Sequence, residues 1–162
     1  MSINVSVKDS LYNEGDRYEF DINAEIEPIN YMGNVRFEDV NVSGFYFADG
    51  NNVRFYGKVN VKCIFECDRC LKEFDKSFSF NFSEIFSSVA EDETLLIGKN
   101  SVVDLQPLVN DTVISSLPIE RLCKEDCKGL CPHCGIDKNF SSCTCSDIDE
   151  DNPFAILRGL VD

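Results

Sequence analysis

Histidine is nearly absent from this chain, and cations are scarce. A single histidine, His133, excludes a His-rich metal centre and leaves no second imidazole for a catalytic triad. With 15 Lys and Arg against 29 Asp and Glu, the formal charge is −14. Nucleic-acid affinity comes largely from cations that neutralise phosphates, so this balance argues against nonspecific phosphate binding. An RNA role would need a local basic surface or a protein intermediary. No glycine-rich phosphate-cradling loop occurs, and there is no H-x-E element to pair with a P-C-x-x-C in the manner of zinc deaminases. No segment approaches the roughly 18 apolar residues of a membrane span. The start, MSINVSVKDS, lacks a basic region followed by an apolar run, so a cytoplasmic protein is expected. Internal repeats and long low-complexity tracts are also missing.

Cysteine is the residue in excess. Six of the nine cysteines lie between positions 123 and 145. At 162 residues the chain can bury a core without staples, and an odd count resists complete pairing. In a reducing cytoplasm, clustered thiols bind metal or do redox chemistry more readily than they form structural disulfides.

The polar-apolar pattern is that of strands. In Tyr18 to Ile26, Tyr18, Phe20, Ile22, Ala24 and Ile26 share one face, with acids and amides on the other. Two further strands, VNVSGFYF and VRFYGKVNVKCIF, flank the turn ADGNN. In the second, Val53, Phe55, Val59, Val61, Cys63 and Phe65 form the apolar parity, which makes Cys63 a core residue. Alternation resumes at Phe74, Phe78, Phe80 and Phe82, which puts CDRC at a hairpin tip. The expected fold is mainly β with a small α part: an antiparallel β-barrel or sandwich-like domain over 1–90, then a linker and helix over 91–120. Asp104 is the candidate N-cap of that helix, Leu105, Leu108, Thr112 or Val113, and Leu117 its apolar positions, and Pro118 its stop. A cysteine-rich zinc-binding segment over 121–146 precedes an acidic tail, 147–162, with a short apolar turn or helix.

Zinc favours four soft ligands at tetrahedral corners, and a two-residue gap lets one tight turn aim two thiolates at one ion. Cys131-Pro132-His133-Cys134-Gly135 has this form; Pro132 presets a turn and Gly135 permits a positive φ. With Cys143 and Cys145 it makes one closed structural site. Cys67 and Cys70, with Cys123 and Cys127, form a candidate second site if the later segment folds back, although by spacing Cys127 could exchange roles with Cys131. Zinc is therefore the expected cofactor, as one or two structural ions. Four thiolates leave no open position for a reacting water, so no catalytic residue is assigned. The competing reading is a thiol redox protein using Cys67 and Cys70, opposed by their strand-to-strand flanks, since redox pairs sit at helix starts. A zinc-dependent hydrolase is the third, and weakest, alternative. A basic row of Arg54, Lys58 and Lys62 with Tyr56 among them fits RNA phosphates and a stacked base, or else is simply the wet side of a strand. Phe154, in NPFAIL, docks either on a partner or on the chain itself.

The combination CDRCL, SSLPIERLCKEDCKGLCPHCG, CTC and a closing NPFAIL resembles the YceD family, the large ribosomal RNA subunit accumulation proteins. The likeness is weakest over the first fifty residues. It implies a bacterial cytosolic, noncatalytic factor that promotes synthesis, processing or stability of large-subunit ribosomal RNA. The motif falls on Cys67, Arg69, Cys70 and Leu71, on Cys123, Cys127, Gly129, Cys131, Cys134, Gly135, Cys143 and Cys145, and on Pro153 and Phe154. Arg69 thereby joins the candidate partner-binding residues. Some family members lack most of the later cysteines, which implies that metal is a scaffold. Expected partners are large-subunit ribosomal RNA, a ribosomal protein or an assembly intermediate, with no membrane and no small-molecule substrate. The acidic charge slightly favours capture of a basic ribosomal protein.

Overall fold

Alternating side chains become antiparallel sheet in the computed structural model, which describes residues 2–28, 35–89 and 95–145. In chain order the elements are β1 (Asn4–Ser6), α1 (Lys8–Tyr12), β2 (Tyr18–Ala24), β3 (Val35–Asp49), β4 (Asn52–Glu66), β5 (Glu73–Ser87), β6 (Leu95–Leu96), a 3-10 turn at Lys99–Ser101, β7 (Val102–Asp104) and α2 (Gln106–Ser116). The protein is mainly β with few helices. It divides into two compact units, one of Met1–Glu66 with Glu73–Arg121, the other of Cys67–Lys72 with Leu122–Asp162.

In the first unit a five-stranded sheet has the order β2-β3-β4-β5-β6, and β1 pairs separately with β7. Strands β2 to β5 are antiparallel neighbours, while β6 runs parallel to β5. The sheet is not the expected barrel: among the described residues it is open, with β2 and β6 as its edges. Closure needs an edge-to-edge ladder with matched tilt and stagger, and β6 offers two residues for it.

The expected parity of β4 holds at every position named, with Val53, Phe55, Val59, Val61, Cys63 and Phe65 all buried. Phe55 anchors the core, its ring 4.9 Å from Tyr46, 5.3 Å from Phe86 and 5.8 Å from Phe20. Strand β3 starts earlier than its sequence pattern shows. A register shift between Glu38 and Asn41, with Asp39 at φ 50°, moves the inward set from Val35 and Phe37 to Val40 and Val42. One extra residue flips parity, so no single alternation spans the strand.

Two glycines set the sheet's closest approach. A Cβ on Gly44 would lie 2.2 Å from the Tyr56 carbonyl oxygen, and one on its partner Gly57 would lie 2.3 Å from the Phe82 ring. Phe82 thus fills the side-chain space that Gly57 leaves, an aromatic covering of a strand glycine.

Helix α2 presents Val109 and Val113 to the core after buried Leu105, an i, i+4, i+8 stripe. Leu108 and Leu117, expected on that stripe, are only partly buried. Leu105 occupies the N-cap position expected for Asp104, but the Asp104 carboxylate accepts the Gln106 N–H at 2.9 Å and still satisfies an orphan donor. The acidic run, Pro153 and Phe154 lie outside the described residues. Among the described residues no helix is long and apolar enough to cross a membrane.

Candidate metal centres

The second unit is built on two copies of one backbone turn. In the first, the Leu71 N–H donates to the Cys67 carbonyl at 2.9 Å and the Cys67 N–H to the Lys72 carbonyl at 2.9 Å. In the second, the Gly135 N–H donates to Cys131 at 2.9 Å and the Cys131 N–H to Ile136 at 2.8 Å. Each C-x-x-C therefore closes into the same knuckle, with its fifth residue left-handed: Leu71 at φ 59° and Gly135 at φ 73°.

Each knuckle meets a second cysteine pair. Cys67, Cys70, Cys123 and Cys127 hold their sulfurs within 4.8 Å of one another, and so do Cys131, Cys134, Cys143 and Cys145. All eight cysteines expected as ligands are thus gathered into two fours, with Cys127 in the first set and His133 in neither. Four Zn–S bonds of about 2.3 Å in a tetrahedron would place the sulfurs about 3.8 Å apart. Cys67 and Cys127 sit at 3.8 Å, Cys70 and Cys123 at 3.6 Å. Both exceed the roughly 2.05 Å of a disulfide. The donor set fits a soft divalent ion.

The electrostatics point the same way. Burial pushes the Cys67 thiol up, but backbone N–H groups of Cys123, Arg69 and Cys70 outweigh it and bring it down to about 6. Backbone N–H groups of Cys134 and His133 bring Cys131 to about 6. Cys123 and Cys145 are pushed up to about 12, the first chiefly by desolvation, the second by the Cys134 sulfur. One thiolate per cluster is supported by the backbone, and further thiolates beside it need a cation.

A supporting layer escaped the sequence reading. The Asn139 amide donates to the Cys127 sulfur at 3.5 Å, and its own backbone N–H donates to Asp137 at 2.9 Å. Lys72 pairs with Asp137 at 2.8 Å, which keeps that carboxyl down at about 2. The Leu130 N–H donates to the Arg69 carbonyl, and the Arg69 guanidinium to the Cys127 carbonyl at 3.1 Å. Gly129, at φ 69°, leaves that approach open, since a Cβ there would fall 2.7 Å from the Arg69 oxygen. The signal for Asn139 and Asp137 was the turn-forming run Asp137-Lys138-Asn139, which carries no ligand spacing of its own.

The basic row on β4 is largely compensated. Arg54 pairs with Asp49 at 3.0 Å and Lys62 with Glu38 at 3.5 Å, and Tyr56 stacks on Phe45. Lys58 forms no ion pair among the described residues.

A family profile described as large ribosomal RNA subunit accumulation protein YceD matches residues 55–161, which include both cysteine clusters. The chain belongs to the YceD family. Relatives from within Mycobacterium support no finer identity: uncharacterized proteins of Mycobacterium bovis and Mycobacterium tuberculosis are 33% identical over 87 residues, 49% of this chain and 42% of theirs. One from Mycobacterium leprae is 27% identical over 86 residues, 49% of this chain and 40% of its own length. The chain therefore spans less than half the length of the curated relatives it matches. No solved structure matches it.

Proposed function

We propose that this YceD-family protein is a cytoplasmic, noncatalytic factor that promotes accumulation of large-subunit ribosomal RNA by binding, with its second unit held in shape by two structural zinc ions. The observation that carries the reading is family membership over a span that contains all eight clustered cysteines. Zinc in each four-sulfur set would have a closed coordination sphere, which supplies rigidity and no reacting water. Cys67, Cys70, Cys123 and Cys127 would hold one ion, and Cys131, Cys134, Cys143 and Cys145 the other. The gathering of Cys67 and Cys70 with two further thiols supports the scaffold over the two-thiol redox reading.

Depletion in the native host, with mature and precursor large-subunit RNA measured alongside subunit profiles, tests the cellular role. Loss of mature large-subunit RNA, restored by the wild-type chain, is the expected result; unchanged RNA and profiles would rule it out. Elemental analysis of the reduced protein is expected to find two zinc ions per chain, with thiols that react only after a chelator is added.

A further inference from the structure

The outer face of the sheet carries an arrangement that the metal centres do not use. Tyr56 on β4 stacks against Phe45 at 5.4 Å and 18°, and against Phe47 at 6.1 Å and 9°. Arg17 lies 3.6 Å over the Phe45 ring, so three rings and a guanidinium form one continuous stack. Phe45 and Phe47 both rise from β3, so both contacts reach Tyr56 from that strand. On the β5 side the cross-strand neighbour of Tyr56 is Ser83, too small to cover a ring. Tyr56 remains 37% exposed.

That uncovered side opens on a groove of about 550 Å³ walled by Ser43, Phe45, Tyr56, Lys58, Asn81 and Ser83. Gly44, Gly57 and Phe82, whose side-chain positions face the core, complete its lining. Arg17, Arg54 and Lys62 are compensated by Glu19, Asp49 and Glu38. Lys58 is the cation on this face with no acidic partner among the described residues.

We propose that this groove is a binding site for an unpaired nucleotide of single-stranded RNA, with the base stacked on the free side of Tyr56, its edge met by Asn81 and Ser83, and a phosphate at Lys58. The inference rests on the function proposed above and supplies its direct contact. A ring face beside hydroxyl and amide groups matches a base, which offers a π-face and hydrogen-bonding edges together. A paired duplex hides its base faces and relies on many phosphate contacts, which one uncompensated lysine does not provide. An apolar protein anchor would need a desolvated pocket, and this groove is shallow and open to solvent. The acidic whole-chain charge keeps the contact weak and dependent on stacking, so RNA affinity belongs to this patch.

The test is fluorescence anisotropy of the zinc-loaded full chain with a labelled single-stranded RNA 12-mer, a duplex of the same length, and an oligolysine peptide as the basic-protein surrogate. The expected result is saturable binding of the single strand and weaker binding of the duplex. Tyr56→Ala is expected to weaken binding by roughly tenfold or more, the loss of one base stack. Tyr56→Phe should bind as wild type, and Ser83→Phe should block the site while leaving Tyr56 in place. Lys58→Ala should lower the slope of log affinity against log salt by about 0.7. No saturable RNA binding, equal affinity for single strand and duplex, or Tyr56→Ala and Ser83→Phe both binding as wild type would overturn the site. Oligolysine binding that depends on Tyr56, without RNA binding, would overturn it in favour of a protein partner. In depleted cells, full rescue by both Tyr56→Ala and Ser83→Phe defeats this site alone, whereas unchanged ribosomal RNA on depletion defeats the function on which it rests.

Discussion

Leu71 and Gly135 do the same backbone work at unequal cost. Both sit fifth in a cysteine knuckle at positive φ, where a left-handed conformation costs an ordinary residue about 1 kcal/mol and glycine almost nothing. Leu71 is also 57% exposed, so burial repays little of that strain. Leu71→Gly is expected to stabilise the second unit by up to about 0.5 kcal/mol, the strain relieved less the entropy glycine gains on unfolding. Gly135→Ala, where a Cβ meets no neighbour, should cost about 1 kcal/mol from strain alone. Chelator concentration at half-release of zinc, measured on both variants, checks the opposite signs. Cys63 has a separate signature. Burial raises its thiol to about 11 from an ordinary 9, so the stability it supports is present below pH 9 and is lost as pH climbs from 9 through 11. Cys63→Val should flatten that stretch of the unfolding-against-pH curve.

Among the elements, the hairpin β4–β5 does two jobs in sequence. Its strands bury the core row from Val53 to Phe65, and the loop Cys67–Lys72 that joins them supplies the first knuckle. The second knuckle draws its partners from Cys143 and Cys145, so the two sites are chemically separable within one unit. Cys143→Ser is expected to leave one zinc ion per chain and to open the stretch after Cys131 to protease, while Cys67, Cys70, Cys123 and Cys127 keep theirs. Zinc counting and the cleavage map read both outcomes; loss of both ions would show that the clusters form only together. For α2, Asp104→Ala removes the carboxylate that accepts the Gln106 N–H and should cost about 1 kcal/mol.

At the scale of the whole molecule, the zinc proposed above gives the two units different sources of stability. The first unit rests on a buried aliphatic and aromatic core. The second has short stretches of chain around eight thiols, and structural zinc contributes on the order of 10 kcal/mol to such folds. Chelation at neutral pH is therefore expected to make the chain from Leu122 onward protease-sensitive while the far-ultraviolet signature of the sheet persists. Simultaneous loss of both would show that the sheet depends on metal. The formal charge of −14, lowered by about 2 more for each zinc bound by four thiolates, also opposes compaction, so moderate salt should raise the unfolding midpoint.

The sequence by itself determined the strands with strict alternation, the core parity of β4 including Cys63, and the identity of the eight clustered cysteines, because side-chain period and C-x-x-C spacing are local properties. It did not reveal the first half of β3, where the bulge at Asp39 breaks the period, nor the two-residue β6, too short for any pattern. Only the tertiary structure decided that the sheet stays open, that Cys127 joins Cys67 and not Cys131, and that Asn139 and Arg69 brace the sulfurs. It also separated Lys58 from Arg54 and Lys62, which look alike along β4. Those distinctions depend on residues as much as 60 positions apart meeting in space, as Cys67 and Cys127 do, and no local period encodes such a meeting.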